Sequence, residues 1–244
     1  MKLKVCVVIP SYKVKNKILH VIKKINSHLV DKIILVDDCC PQNSGNYVKQ
    51  NIKNKNVHFI FLKKNTGVGG ATLAGFIYAL KNNFDIIIKV DGDGQHNTII
   101  LKDFIKNLTS KYDMVKGYRD LRLKKLFYKK MPIIRILGTK ALTFLVGITT
   151  WDFKVKDACH GLIGFNSKFL RKINLNKIKK NYFFEQDILF YTLLKKGRVK
   201  YLRNEIFYKD EISSLAPFKT IVPFLSYHFL NFFIKIGSVF NQKD

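Results

Sequence analysis

A mixed α/β fold on a Rossmann-like, mostly parallel sheet is predicted by three features of the sequence. Short apolar runs alternate with helical spacing through residues 4–90, the rhythm of βαβ units. Polar residues follow each run: Ser11, then Asp37 and Asp38, then Asn65, then Asp91 and Asp93. The carboxyl ends of parallel strands share one edge, where open α/β sheets bind ligands. The third feature is the loop Asp91-Gly92-Asp93-Gly94-Gln95 after an apolar run at 84–90.

The elements follow in order. Residues 4–9 read as a strand closed by Pro10-Ser11-Tyr12. Val14, Ile18, Val21, Ile22 and Ile25 then recur at helical spacing, with lysines opposite. Strands are predicted at 32–36 and 57–62, and a small-residue helix at 69–80 after Asn65-Thr66-Gly67-Val68-Gly69-Gly70. That glycine run lacks the Gly-Lys-Ser/Thr of a P-loop and does not follow the first strand. It serves either close packing or a phosphate at the helix N-terminus. Residues 113–117 read as a fifth strand and 182–196 as a helix.

The 244 residues, 47% apolar and 25% charged, describe a globular chain rather than a disordered one. Lys and Arg outnumber Asp and Glu by 44 to 17, and the net charge of +27 favours polyanionic partners without naming one. Cys6, Cys39, Cys40 and Cys159 lack paired metal-ligand spacing and read as free thiols of a reducing cytoplasm. The start shows no signal-peptide pattern, and no window of about 18 uncharged apolar residues predicts a spanning helix.

An extended Asp-x-Asp turns its side chains to opposite faces. Gly92 and Gly94 permit backbone angles that bring Asp91, Asp93 and the Gln95 carbonyl toward one hard cation, Mg²⁺ or Mn²⁺. Further on, Arg135, Thr139 and Thr143 recur every four residues and share a helix face within the apolar stretch 131–151. The mixture of basic and apolar residues at 119–130 suits an anionic membrane surface. Glu185 and Asp187 lie about 200° apart around a helix and cannot both face one pocket unless the helix begins between them. After Pro223, read as a helix start or kink, His228, Asn231, Lys235 and Ser238 form a polar stripe on an apolar helix, predicted to be interfacial or packed on the domain.

The motifs Val7-Val8-Ile9-Pro10-Ser11-Tyr12, Leu35-Val36-Asp37-Asp38-Cys39, Asn65-Thr66-Gly67-Val68-Gly69-Gly70-Ala71 and Val90-Asp91-Gly92-Asp93-Gly94-Gln95-His96 stand in the order of family 2 glycosyltransferases. Over residues 4–215 the chain most resembles their dolichyl- or polyprenyl-phosphate hexosyltransferase branch. The resemblance implies a GT-A fold, a nucleotide diphosphate sugar donor and a divalent metal. Asp91, Asp93 and Gln95 would hold the metal. Pro10, Ser11, Tyr12, Asp37 or Asp38, Asn65, Gly69, Asp91 and Gly92 would line the donor nucleotide site. Arg119, Arg135, Thr139, Lys209 and Ser213 would meet the acceptor phosphate, with His160 as pocket lining. Glu185 or Asp187 corresponds to the general base of members that glycosylate sugar hydroxyls, a base that an anionic lipid phosphate does not need.

The expectation is therefore inverting transfer of a hexose from a GDP- or UDP-sugar to polyprenyl phosphate at the cytoplasmic membrane face. A GT-A domain is expected over 1–216, with a membrane-facing insertion at about 119–151, followed by an interfacial amphipathic helix over 217–244. Relatives often continue into transmembrane helices, whereas this sequence stops at Asp244, so the expectation is that what those helices do is either absent or supplied by a separate membrane-protein partner. A sugar hydroxyl acceptor in polysaccharide or lipopolysaccharide synthesis is the alternative, and a nucleotidyltransferase also pairs aspartates on such a sheet. Nucleic-acid binding is suggested by charge alone, and the strand-end carboxylates would repel a phosphate backbone.

Overall fold

The computed structural model describes residues 3–52, 56–120, 133–204 and 217–240. Strand β1 (Val5–Ser11) is buried along its whole length. It leads to α1 (Lys15–Lys24), which sets Ile18, Val21 and Ile22 on the sheet and ends in Lys23 and Lys24, placing positive charge at the negative end of the helix dipole. Then come β2 (Lys32–Asp37), α2 (Ser44–Asn51), β3 (Val57–Phe61), α3 (Gly67–Lys81) and β4 (Ile86–Lys89). The chain continues through α4 (Leu101–Ser110) and β5 (Met114–Tyr118) to α5 (Ile133–Thr150). It closes with β6 (Ile163–Asn166), the single turn α6 (Ser167–Leu170), α7 (Phe184–Leu194), β7 (Val199–Arg203) and α8 (Pro217–Phe240).

The sequence reading did not include α2, α4 or β7. Polar α2 carries little apolar signal, whereas Leu101, Phe104 and Leu108 of α4 are a legible buried stripe. Strand β7 lies at the sheet edge and stays half-exposed.

The seven strands run in the order β3-β2-β1-β4-β6-β5-β7. Strand β6 pairs antiparallel with both β4 and β5, and every other pairing is parallel. Ser11 lies opposite Asp37, and Val8 opposite Lys89, so the ends of β1, β2 and β4 form one polar edge. Strand β6 inserts Ile163 between Lys89 of β4 and Lys116 of β5. Apolar layers cover both faces: α1 and α4 on one, α3 and α7 on the other. A Cβ on Gly75 of α3 would run into the Val8 side chain, so glycine here lets the helix lie close against the sheet.

Helix α8 begins at Pro217 and carries Pro223 inside it, so the expected start or kink at Pro223 does not mark the helix start. Its polar stripe points inward: His228 and Asn231 are 4% exposed, while Phe229, Leu230 and Phe233 are more than half exposed. Helix α8 packs on α5, whose Ile133, Ile134, Leu137 and Phe144 are likewise exposed. By length and composition α5 could cross a membrane, and a third of it is buried in the protein.

Candidate active site

The two aspartates that end β2 part company. Asp37 turns back into its own turn, accepting from the Cys40 N–H at 2.7 Å and the Gly45 N–H at 2.6 Å. A Cβ on Gly45 would strike that carboxylate, so the start of α2 is built around it. The sequence left both aspartates eligible for the nucleotide. The structure turns Asp37 away from the edge and makes it a cap. Asp38 reaches across to α3, where one oxygen accepts from the Thr66 N–H and hydroxyl, each at 2.8 Å.

Beside Asp38, the buried Ser11 hydroxyl has no hydrogen-bond partner among the described residues, and Asp38 N–H donates to the Ser11 carbonyl. Pro10 is buried behind it and Tyr12 is exposed at the rim. Asn65 accepts from the Gly67 N–H. The glycines that follow meet protein: a Cβ on Gly69 would lie 2.7 Å from the Lys179 and Lys180 carbonyls, and Gly70 N–H donates to Lys180. Gly69 therefore packs closely against the 179–180 backbone.

In the acidic loop the two glycines act differently. Gly94 has φ +79°, the left-handed region, whereas Gly92 makes room for the Pro10 carbonyl and the Val14 and Ile18 side chains. Asp93 accepts from the Gln95 N–H at 3.0 Å, and both residues are half-buried. Asp91 is held on both oxygens, by Lys89 Nζ at 2.7 Å and by His96 Nε2 at 2.8 Å. Burial pushes the Asp91 carboxyl up, but the Lys89 ammonium and the His96 hydrogen bond outweigh it and hold it well below the usual carboxylate range.

Lys89 is fully buried, and its Nζ also donates to Glu185 Oε1 at 2.8 Å. Burial would lower its pKa; Asp91 and Glu185 reverse that and raise it. Glu185 therefore faces the site from the first turn of α7. Asp187 faces away, accepting from the Tyr227 hydroxyl of α8 at 2.6 Å and the Lys179 N–H at 2.7 Å. The expectation of Asp187 as a catalytic carboxylate is corrected accordingly: it ties α7 to α8.

On the β5 side, Arg119 places Nε and Nη2 on the two oxygens of Asp157, at 2.7 and 2.9 Å. Burial raises the Asp157 carboxyl and the Arg119 guanidinium outweighs it, so the pair stays ionised. That fork is engaged with Asp157, and Arg119 also lines the groove that opens beside α5. Lys116 is buried against the His160 carbonyl at 2.6 Å, and burial lowers its pKa to about 8. The ring of His160 stacks near His96, 5.0 Å between centroids.

Arg135, Thr139 and Thr143 do share a face of α5, and each threonine hydroxyl donates to the carbonyl four residues back. A groove of about 690 Å³ opens between α5 and the ends of β5 and β7. Lys140, Lys156 and Arg203 line it together with Thr143, Phe144 and Phe153, whereas Arg135 and Thr139 lie outside it. Lys209 and Ser213 lie outside the described residues. Sequence reasoning missed Lys89, His96, Thr66 and Asp157 as site-forming residues. A charged residue closing an otherwise apolar strand was the one available signal, at Lys89.

The chain is 28% identical over 189 residues to the UDP-N-acetylglucosamine–dolichyl-phosphate N-acetylglucosaminyltransferase of Methanococcus voltae, covering 72% of this chain and 74% of that one. It is 26% identical over 164 residues to the undecaprenyl-phosphate mannosyltransferase of Micrococcus luteus, covering 66% and 65%. Glucosyl-3-phosphoglycerate synthase of Mycobacterium tuberculosis, solved with Mn²⁺, UDP and glucosyl-3-phosphoglycerate, superposes with a TM-score of 0.67 at 15% identity over 93% of this chain and 80% of that one. That likeness establishes the GT-A fold. The family model for glycosyl transferase family 2 matches residues 6–174, so the chain belongs to that family and is a glycosyltransferase.

Proposed function

We propose that the chain transfers a hexose from a nucleotide diphosphate sugar to polyprenyl phosphate, with inversion, at the cytoplasmic face of a membrane. The observation that carries this reading is the layout of one sheet edge. Its β1–β2–β4 side is acidic and polar, ending in Ser11, Asp38 and Asp93, and its β5–β7 side opens into a groove with lysines above an apolar wall. A sugar diphosphate suits the first and a phosphate on an isoprenoid chain the second. The relatives named for dolichyl and undecaprenyl phosphate support the same acceptor class.

The oxygen donors of Asp93 and Gln95 fit Mg²⁺ or Mn²⁺. Among the described residues no cluster of three or more His, Cys, Asp or Glu forms an all-protein cage. Such a cation takes few protein ligands when phosphate oxygens complete its shell. Asp93 and Gln95 would hold it, with Asp91 fixed alongside by Lys89 and His96. When bound, it would neutralise charge on the departing diphosphate. The Ser11 hydroxyl, buried and without a partner among the described residues, is offered to the nucleotide beside Asp38. Lys140 and Lys156 draw the acceptor phosphate toward the anomeric carbon. The phosphate oxygen forms the new bond to that carbon as the bond to the diphosphate breaks, and no proton has to leave the acceptor.

The exposed apolar faces of α5 and α8 lie on an anionic bilayer in this reading, with the net charge of +27 favouring that surface. The test is transfer of labelled sugar from UDP- and GDP-sugars to polyprenyl phosphate in vesicles, with and without chelator. Transfer that stops with EDTA and returns with Mn²⁺ is expected. Undiminished turnover by folded Asp93→Asn would overturn the metal role.

A further inference from the structure

Lys89 is the one charged residue of β4, next to Ile86, Ile87 and Ile88, and it is wholly buried. Replacing a buried ion pair with apolar groups is often neutral or stabilising, so stability alone gives little reason for a lysine here. Its ammonium contacts two carboxylates on different elements: Asp91, two residues on in the acidic loop, and Glu185 in the first turn of α7, 96 residues away. The loop before β6 closes over the group, because a Cβ on Gly161 would collide with Asp91 Oδ2 and come within 3.1 Å of Lys89 Nζ. With His96 on the other Asp91 oxygen, that carboxylate is directed on both sides before any ligand arrives.

We propose that Lys89 is a positioning residue of the transfer reaction: it sets Asp91 for the donor and engages Glu185 as a counter-charge rather than a general base. This deepens the reading above, on which it rests, because a site without a base matches an acceptor that arrives already anionic. It differs from the family-derived expectation for Glu185, which in hydroxyl-glycosylating members is the base. A sugar hydroxyl would have to lose a proton at this place, and the oxygen facing into the sheet already accepts from Lys89.

The experiment compares wild type, Lys89→Met and Lys89→Met/Glu185→Gln by two readouts. One is the melting temperature without ligand. The other is the concentration dependence of thermal stabilisation by UDP-glucose, UDP-N-acetylglucosamine and GDP-mannose, each with Mn²⁺. Lys89→Met leaves two partly buried carboxylates without their cation and melts earlier. It also needs about tenfold more of whichever nucleotide sugar stabilises wild type. The double variant removes one of those charges, so its melting temperature recovers while the donor affinity stays weak. Recovery of both readouts together would make Lys89 a structural residue and overturn the proposal. A wild type that binds a nucleotide sugar, with a Lys89→Met that binds it equally well, overturns the clamp and leaves the functional reading standing. A wild type stabilised by none of the three overturns both.

Discussion

One oxygen of Asp38 accepts both the backbone N–H and the hydroxyl of Thr66, each at 2.8 Å. This contact ties the end of β2 to the start of α3, 28 residues on. Asp38→Ala is expected to cost about 2 kcal/mol of stability, in the range for hydrogen bonds to a charged group. It should also weaken nucleotide-sugar binding by about tenfold. Asp37→Ala should destabilise comparably through its lost turn and affect binding far less. Calorimetry of both variants with UDP- and GDP-sugars checks the contrast.

Gly161 tests how tightly the acidic loop is covered. Any side chain there must displace Asp91 or the 157–162 segment. Gly161→Ala should lower turnover at least about tenfold, with a stability loss of about 1–3 kcal/mol typical of overpacking. Steady-state transfer assays alongside thermal melts measure the two.

Glu185→Gln separates the acceptor classes. Removing a general base costs about 10²–10⁴-fold in rate. With a lipid phosphate acceptor the loss should be below about tenfold, and smaller than that of Asp93→Asn. Measurement of kcat on polyprenyl phosphate for both variants decides it.

The junction of α7 with α8 should be sensitive to acid. His228 donates through Nε2 to Gln186 Oε1, packs against the Tyr227 ring, and burial lowers its pKa to about 4. An unfolded histidine titrates near 6.5. Between those values the unfolded chain binds the extra proton, so stability falls as pH drops from about 6.5 to about 4, by at most about 3 kcal/mol. Asp187 acts in the opposite sense: burial raises its carboxyl, and its contribution declines as pH rises above the ordinary carboxylate value. Thermal melts from pH 7 to 4.5 should show a slope that His228→Phe flattens.

Phe229→Asp/Phe233→Asp should abolish flotation with anionic vesicles and change the melting free energy by only about 0.5 kcal/mol per site, since both rings are exposed. Co-sedimentation with neutral and anionic vesicles reads this directly.

The sheet and its polar edge were legible because strand-end chemistry is local: Ser11, Asp38 and Asp93 each follow their own apolar run. The choice between Asp37 and Asp38 was not, since it depends on α2, whose polar sequence hides the helix around which Asp37 folds. The helical offset of Glu185 and Asp187 correctly sent them in different directions, but which one faced the cleft required α8. The partner of Arg119 could not be read locally, because Asp157 lies 38 residues away. Lys89 carried no assigned role because its burial depends on β6, which arrives antiparallel from more than 70 residues further along. The inward polar stripe of α8 reverses the usual pattern, since its apolar side is the exposed one.

Asp187 grips Tyr227 with one oxygen and the Lys179 amide with the other, and the next residue's carbonyl receives the Gly70 N–H at the root of α3. Force applied to the C-terminal helix therefore has a bonded route to the opposite rim of the cleft, through a single carboxylate. Seating that helix on lipid would brace the start of α3, and trimming the chain before Tyr227 would slacken it.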